Sequence, residues 1–153
     1  MSFRPERKAA TLLAVLLLAC AAADTASHAR RRALPNPVIY LQRIETFQSG
    51  GKEFIRYHLG VENAAAYPDE MFAAAPQLPP CGQNAKSART WVDIYAQDGK
   101  RLNGFCALGK AADLNSVWFA LEADVVPPSW VYVELNDRAT NTKYKSGLAD
   151  TSL

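Results

Sequence analysis

Residues 90–108, TWVDIYAQDGKRLNGFCAL, contain the pattern that most clearly sets the fold. Apolar Val92 and Ile94 alternate with polar or aromatic neighbours, and a period of two is that of a half-buried strand. Asp98-Gly99 then favours a tight turn, because both residue types tolerate positive φ. The chain returns with a second apolar phase at Leu102, Cys106 and Leu108. The stretch therefore predicts an antiparallel hairpin with one face on a core.

Similar short runs of β-branched and aromatic residues continue on both sides of this hairpin, separated by turn signals such as Ser49-Gly50-Gly51. The predicted strands are Val38–Phe47, Glu53–Asn63, Thr90–Gln97, Arg101–Leu108, Ser116–Glu122, Ser129–Asn136 and Lys143–Leu148. About seven strands without an internal repeat predict an all-β fold, an antiparallel β-sandwich of immunoglobulin-like or fibronectin-like architecture. A small β-barrel is the alternative. We assign this single domain to residues 37–153.

One segment breaks the strand pattern. Residues 64–83, AAAYPDEMFAAAPQLPPCGQ, contain four prolines, which exclude a long regular element. Asp69–Ala75 is expected to form one or two helical turns after Pro68. We expect this segment to be a surface excursion held by Cys81.

The N-terminal residues resemble a targeting signal. A basic start with Arg4, Arg7 and Lys8 precedes fifteen uncharged residues, too few for the roughly 20 that span a bilayer. We predict a signal peptide over residues 1–23, with cleavage after Ala21-Ala22-Ala23 or, as in bacterial lipoproteins, before a lipidated Cys20. A single-span anchor is the alternative. Residues 24–36 are predicted to be a basic, flexible tether. The domain is expected in the periplasm or cell envelope.

Length, composition and charge exclude several classes of protein. The chain has 153 residues, 49% apolar and 21% charged, which is an ordinary globular composition and excludes a disordered, collagen-like or multi-pass membrane chain. Its net charge of +2 comes from the leader and tether, because from Pro35 onward 11 basic residues face 13 acidic ones. The folded part gives no reason to expect a nucleic-acid partner.

The cysteines indicate an oxidising compartment. If Cys20 is lipidated or removed, Cys81 and Cys106 remain as a single pair, most simply a disulfide. It would close a loop of about 25 residues and contribute roughly 3–4 kcal/mol in the chain-entropy model. A metal site would need more ligands than His28 and His58 supply, and no C-x-x-C redox motif is present. No metal and no cofactor are predicted.

Strand alternation also predicts an outward-facing set of aromatic residues. If the valines and their apolar partners face the core, their neighbours face outward; these are Trp91, Tyr95, Phe105, Trp118, Trp130 and Tyr132. Exposed rings stack on sugars or bury a protein partner's surface, and Arg89, Asp93 and Arg101 could supply polar contacts around them. The alternatives are that another segment covers this face or that a β-bulge shifts the alternation.

Catalytic patterns are scarce. No nucleophile elbow, zinc-protease motif, P-loop or dinucleotide loop occurs. A hydrolase would have to use His58, or carboxylates such as Asp93 and Glu134, whose relative placement the sequence does not give. We therefore predict a non-enzymatic interaction or accessory module of the bacterial envelope with an envelope protein as partner. A carbohydrate-binding module that uses the tryptophans on a polysaccharide is the second hypothesis, and a small hydrolase the third. The only membrane association expected is a lipid anchor, and no oligomeric state is predicted.

Overall fold

A computed structural model describes residues 33–79, 81 and 87–152. The predicted signal peptide, the lipidation of Cys20 and most of the predicted tether lie outside these residues. Within them, no helix is long and apolar enough to cross a membrane.

Strands dominate the described chain, as the alternation predicted. They are β1 (Ile39–Ser49), β2 (Lys52–Val61), β3 (Thr90–Ala96), β4 (Arg101–Phe105), β5 (Val117–Glu122), β6 (Trp130–Asp137), β7 (Thr142–Lys145) and β8 (Ala149–Asp150). Three short 3-10 helices cover Ala64–Ala66, Asp69–Met71 and Ala111–Ser116. The two-residue β8 is the one strand that the sequence pattern did not predict. Gly99, at φ +88°, occupies the predicted turn between β3 and β4.

The strands form two antiparallel sheets. One has three strands in the order β1-β2-β5; the other has five, in the order β4-β3-β6-β7, with β8 also paired to β6. The sheets do not close on themselves, so the prediction of a β-sandwich is confirmed and the barrel alternative is wrong. Together they enclose one core, because inward residues of both sheets belong to a single buried cluster.

The core is built from strictly alternating positions. In β6, Val131, Val133 and Leu135 are fully buried, and they face Val92 and Ile94 of β3 in register. The three-stranded sheet contributes a second set of inward residues, among which Tyr57 and Phe119 stack with ring centroids 4.7 Å apart: Tyr57, Leu59, Val61, Val117 and Phe119. β3 and β6 therefore each have one buried face and one outward face.

A register irregularity in the first hairpin corrects one prediction. Ile94 pairs with Asn103 but Tyr95 pairs with Arg101, so Leu102 is the extra residue of a bulge. The alternation reverses at this point, which places Phe105 opposite the buried Val92. Phe105 therefore packs against the core and does not join the outward aromatic residues.

The segment between β2 and β3 is also different from the prediction of a surface excursion. Tyr67, Met71 and Phe72 are buried members of the core cluster. Hydrogen bonds also connect the segment to the rest of the domain. The Tyr67 hydroxyl donates to the Pro35 carbonyl at 2.7 Å, and the Asp69 carboxylate accepts from the Ala111 N–H at 2.9 Å. The predicted helical turn after Pro68 is present as Asp69–Met71. The segment thus completes the core.

The cysteine pair closes this segment. Cys81 and Cys106 lie at disulfide distance, with 5.7 Å between their Cα atoms. Ala88 donates its N–H to the Cys106 carbonyl at 2.7 Å, so the end of the segment also bonds to the chain that follows β4. The pair therefore connects the excursion to the edge of the five-stranded sheet.

Truncation of Phe72 tests whether the excursion belongs to the core. Phe72→Ala should lower the free energy of unfolding by about 3–5 kcal/mol, because it removes a fully buried ring and leaves a cavity. Leu78→Ala, at a half-buried position of the same segment, should cost only about 1 kcal/mol. Urea unfolding of both variants provides the comparison. Equal losses would show that Phe72 is not a core residue.

Candidate binding surfaces on the two sheets

The outer side of the five-stranded sheet carries most of the residues that the sequence singled out. We call it the five-stranded face. It consists of the β3 and β6 residues that alternate with the buried ones, namely Trp91, Asp93, Tyr95, Trp130, Tyr132, Glu134 and Asn136, flanked by Arg101, Lys143 and Lys145. Its residues come from neighbouring strands, so the register decides which of them are in contact.

Two tyrosines form the central pair of the five-stranded face. Tyr95 lies directly opposite Tyr132, and their rings stack at a centroid distance of 5.1 Å. The Lys145 Nζ atom lies 3.9 Å from the centre of the Tyr132 ring, a cation–π distance. Burial, together with the nearby carboxylates of Asp93 and Glu134, raises the pKa of Tyr95. The raised pKa keeps the Tyr95 hydroxyl neutral at physiological pH.

Next to the tyrosines, two carboxylates face each other. Asp93 pairs with Glu134 across β3 and β6, an arrangement that only the strand register reveals. Each has its own cation: Arg101 Nε lies 2.7 Å from Asp93 Oδ1, and Lys143 Nζ lies 2.8 Å from Glu134 Oε1. The hydrogen bond to Glu134 raises the pKa of Lys143. The like charges of the two acids are thereby compensated within the face.

The two tryptophans of this face have different surroundings. The Trp91 indole N–H donates to the Ser87 hydroxyl at 3.0 Å, and the Arg138 guanidinium covers its ring at 4.2 Å. Trp130 is 40% exposed, and none of the described basic side chains makes a cation–π contact with its ring. It borders two open recesses. One, of about 440 Å³, is lined by residues 96–98 and 128–130; the other, of about 240 Å³, is lined by Pro127, Ser129, Trp130 and residues 150–152.

Trp118 lies elsewhere. It belongs to β5, where it alternates with the buried Val117 and Phe119, and it pairs with His58 of β2. Its place is therefore on the outer side of the three-stranded sheet, in edge contact with Phe105 at 6.0 Å. The three tryptophans do not assemble into one platform, because they belong to different sheets.

Arg89, which the sequence suggested as a polar contact for a ligand, is instead paired with an acid of the protein itself. Its guanidinium makes two hydrogen bonds to Asp137, of 2.7 Å from Nε and 2.5 Å from Nη2. Asp137 is buried, which by itself would raise its pKa, but the bonds from Arg89, Thr140 and the Ala139 N–H lower that pKa to about 2. The pair joins the start of β3 to the end of β6, so its role is structural.

His58 supports the hydrolase hypothesis poorly. It is buried on the outer side of β2, and its Nε2 atom lies 2.9 Å from Glu45 Oε2. The hydrogen bond with His58 is the main cause that lowers the pKa of Glu45. A general base needs a reacting group within hydrogen-bond reach, and this imidazole nitrogen is already in contact with two protein groups, Glu45 and, at 3.3 Å, Arg43 Nη2. No group of three or more metal-ligating side chains occurs in the described ranges.

Sequence reasoning missed Arg56, which lies beside Trp118 with its guanidinium 4.6 Å from the ring centre. The available signal was the alternation of β2, in which Arg56 and His58 fall between the core residues Ile55, Tyr57 and Leu59. What the sequence could not give was the pairing of β2 with β5, which brings Arg56 and Trp118 together.

Comparison with protein families, curated proteins and solved structures gives no match to this chain.

The Arg89–Asp137 pair predicts a specific pH dependence of stability. Because the folded pKa of Asp137, about 2, lies below its ordinary value of 3.8, its stabilisation is complete above about pH 4 and is lost toward pH 2. The loss corresponds to about 2 kcal/mol. In urea unfolding between pH 4 and pH 2, the free energy of unfolding of Asp137→Asn should therefore fall less steeply with pH than that of the wild type.

The matched control for this measurement is Asp98→Asn, in the exposed turn between β3 and β4. It should retain the wild-type pH profile. If Asp137→Asn and the wild type lose stability in parallel below pH 4, the ion pair does not have the role assigned to it.

Proposed function

We propose that this chain is an exported, non-enzymatic binding module of the bacterial cell envelope, and that it binds a protein partner through the five-stranded face. The observation that carries the proposal is that stacked aromatic rings and ion pairs lie side by side on the outer side of β3 and β6. Aromatic residues and arginine are the types enriched at protein interfaces. Held on strands, these side chains also lose little freedom on binding.

A protein partner suits this face better than a sugar does. The Tyr95 and Tyr132 rings stack on each other, Lys145 covers Tyr132, and Arg138 covers Trp91. A sugar ring would have to displace these cations before it could stack. A protein partner can instead contact the ring edges and exchange charges with the surrounding ion pairs.

Export is supported by two features of the chain. The leader has the composition of a signal peptide, and the cysteine pair lies at the distance of a disulfide, which persists in oxidising compartments. We include in the proposal a mature form that is either free in the periplasm or anchored through a lipid on Cys20.

Site-specific photo-crosslinking in host cells tests the protein-binding proposal. A benzoylphenylalanine in place of Tyr132 should give an adduct of one defined mass, because the partner covers this position. The same group in place of the exposed Ala112, in the short helix Ala111–Ser116, should not give that adduct. The double substitution Lys143→Glu and Lys145→Glu should abolish it. An adduct that survives this charge reversal, or none at all, would contradict the proposal.

A carbohydrate site is the second candidate, and the exposed ring of Trp130 is what favours it. This ring lies between two recesses lined by Gln97, Asp98, Asp150 and Ser152, whose oxygens suit sugar hydroxyls. Tryptophan fluorescence titrated with envelope polysaccharides should shift in the wild type and not in Trp130→Ala. The absence of a shift with every glycan tested would eliminate this candidate.

A further inference from the structure

The outer side of the three-stranded sheet holds an arginine between two aromatic rings. We call this side the three-stranded face. The Arg56 guanidinium carbon lies 4.3 Å from the centre of the Phe47 ring and 4.6 Å from that of Trp118. Phe47 in turn stacks on Phe54 at 5.5 Å. These contacts fix the plane of the guanidinium, so its N–H groups have a set direction.

Arg56 has fewer hydrogen-bond partners than its position requires. A guanidinium carries five N–H donors, and burial without acceptors is costly. The Nε atom of Arg56 is inaccessible and has no hydrogen-bond partner. Among the described residues, Glu45 is the only acid within ion-pair distance, at 3.9 Å from Nη1. The side chain as a whole is 26% exposed, so an incoming acceptor would have to approach its terminal nitrogens and not the inaccessible Nε.

Glu45 makes no hydrogen bond to Arg56, because their closest atoms are 3.9 Å apart, and other groups also converge on this carboxylate. His58 Nε2 lies 2.9 Å from its Oε2 atom, and Arg43 Nη2 lies 3.7 Å from the same atom. Two arginines and an imidazole thus share one acid. The face is positive locally, although from Pro35 onward acids outnumber bases by 13 to 11. Arg43, with 63% of its side chain exposed, can move toward a ligand.

From this arrangement we infer that the three-stranded face binds the carboxylates of an acidic, extended segment of a protein partner. Arg56 supplies a fixed guanidinium for bidentate recognition, and Arg43 supplies a mobile second one. An acidic polysaccharide fits less well, since Phe47 and Trp118 already stack or make edge contacts with Arg56, Phe54 and Phe105.

The position of β1 indicates how such a segment is oriented. In the described sheet β1 is the end strand of the order β1-β2-β5; it carries Arg43 and has no second hydrogen-bonded neighbour, although β8 lies close to part of it. An extended segment beside β1 presents every second side chain to the outer face. Carboxylates at alternate positions would then reach the arginines. This surface is separate from the five-stranded face, so the inference goes beyond the function proposed above.

Trp118 provides a fluorescent reporter for this interaction. The substitutions Trp91→Phe and Trp130→Phe leave Trp118 as the single tryptophan of the folded domain. In this background we titrate the mature protein with a peptide of alternating Glu and Thr and with its Gln-for-Glu counterpart. The Glu peptide should give a saturable change in Trp118 emission, weakened by salt, and the Gln peptide should bind at least about tenfold more weakly.

Variants locate the site. Arg43→Gln, at an exposed position that should not affect folding, should weaken binding of the Glu peptide at least about fivefold. Arg56→Lys should weaken it as well, because lysine keeps the charge but loses the planar pair of donors. The matched control is Arg101→Gln, which removes an ion-paired arginine from the five-stranded face and should leave binding unchanged.

Three outcomes would overturn the inference: equal binding of the Glu and Gln peptides, full affinity in Arg43→Gln, or binding of polygalacturonate in place of the Glu peptide. The last would make the face a site for an acidic polysaccharide. If the protein without the charge reversal forms no Tyr132 adduct but still binds the Glu peptide, the proposed function alone is refuted. If it forms the adduct but does not bind the Glu peptide, this inference alone is refuted.

Discussion

The alternation of buried and outward residues along β3 and β6 is the constraint on which the rest of the structure depends. Val131, Val133 and Leu135 are fully inaccessible, as are Val92 and Ile94 opposite them. Each such side chain contributes about 1.5–3 kcal/mol when it is buried. A shift of one residue in the register would expose all of β6's apolar residues, so the pairing is strongly fixed. The same register forces Tyr132 and Glu134 outward and brings them opposite Tyr95 and Asp93, which creates the five-stranded face as a consequence of core packing.

The sequence predicts the strands well because their signal is local. Alternation and a turn at Asp98-Gly99 identify the hairpin of β3 and β4, and a single remaining pair of cysteines indicates which two lie together. Two features had no such signal. No residue type in the sequence marks the bulge at Leu102. The bulge places one unpaired residue in β4 and so reverses the orientation expected for Phe105. Phe72 lies in an irregular segment with several prolines, where no periodicity exists to show which side chain is buried.

The composition of the candidate binding surfaces could not be predicted from the alternation of residues within each strand. Outward orientation of Trp91, Trp118 and Trp130 follows from their neighbours, but the sheet to which each belongs follows from strand pairing. That pairing separates Trp118 from the other two and places it beside Arg56. The charge around Arg56 is locally positive, whereas the residues from Pro35 onward carry a net negative charge. The resulting sandwich has two different outer faces: one with compensated charges around stacked tyrosines, the other with a fixed, incompletely bonded arginine.

Hydroxyl-radical footprinting of aromatic side chains, compared between the purified protein and intact host cells, shows whether the outer faces of the two sheets are covered by partners. The account predicts that purified protein is oxidised at the outward Trp91, Trp118, Trp130 and Tyr132, and that the buried Tyr57, Phe72 and Phe119 are protected. In cells, Trp91 and Tyr132 of the five-stranded face should become protected. Oxidation of the outward residues to the same extent in cells and in the purified state would contradict the account of these faces as binding surfaces.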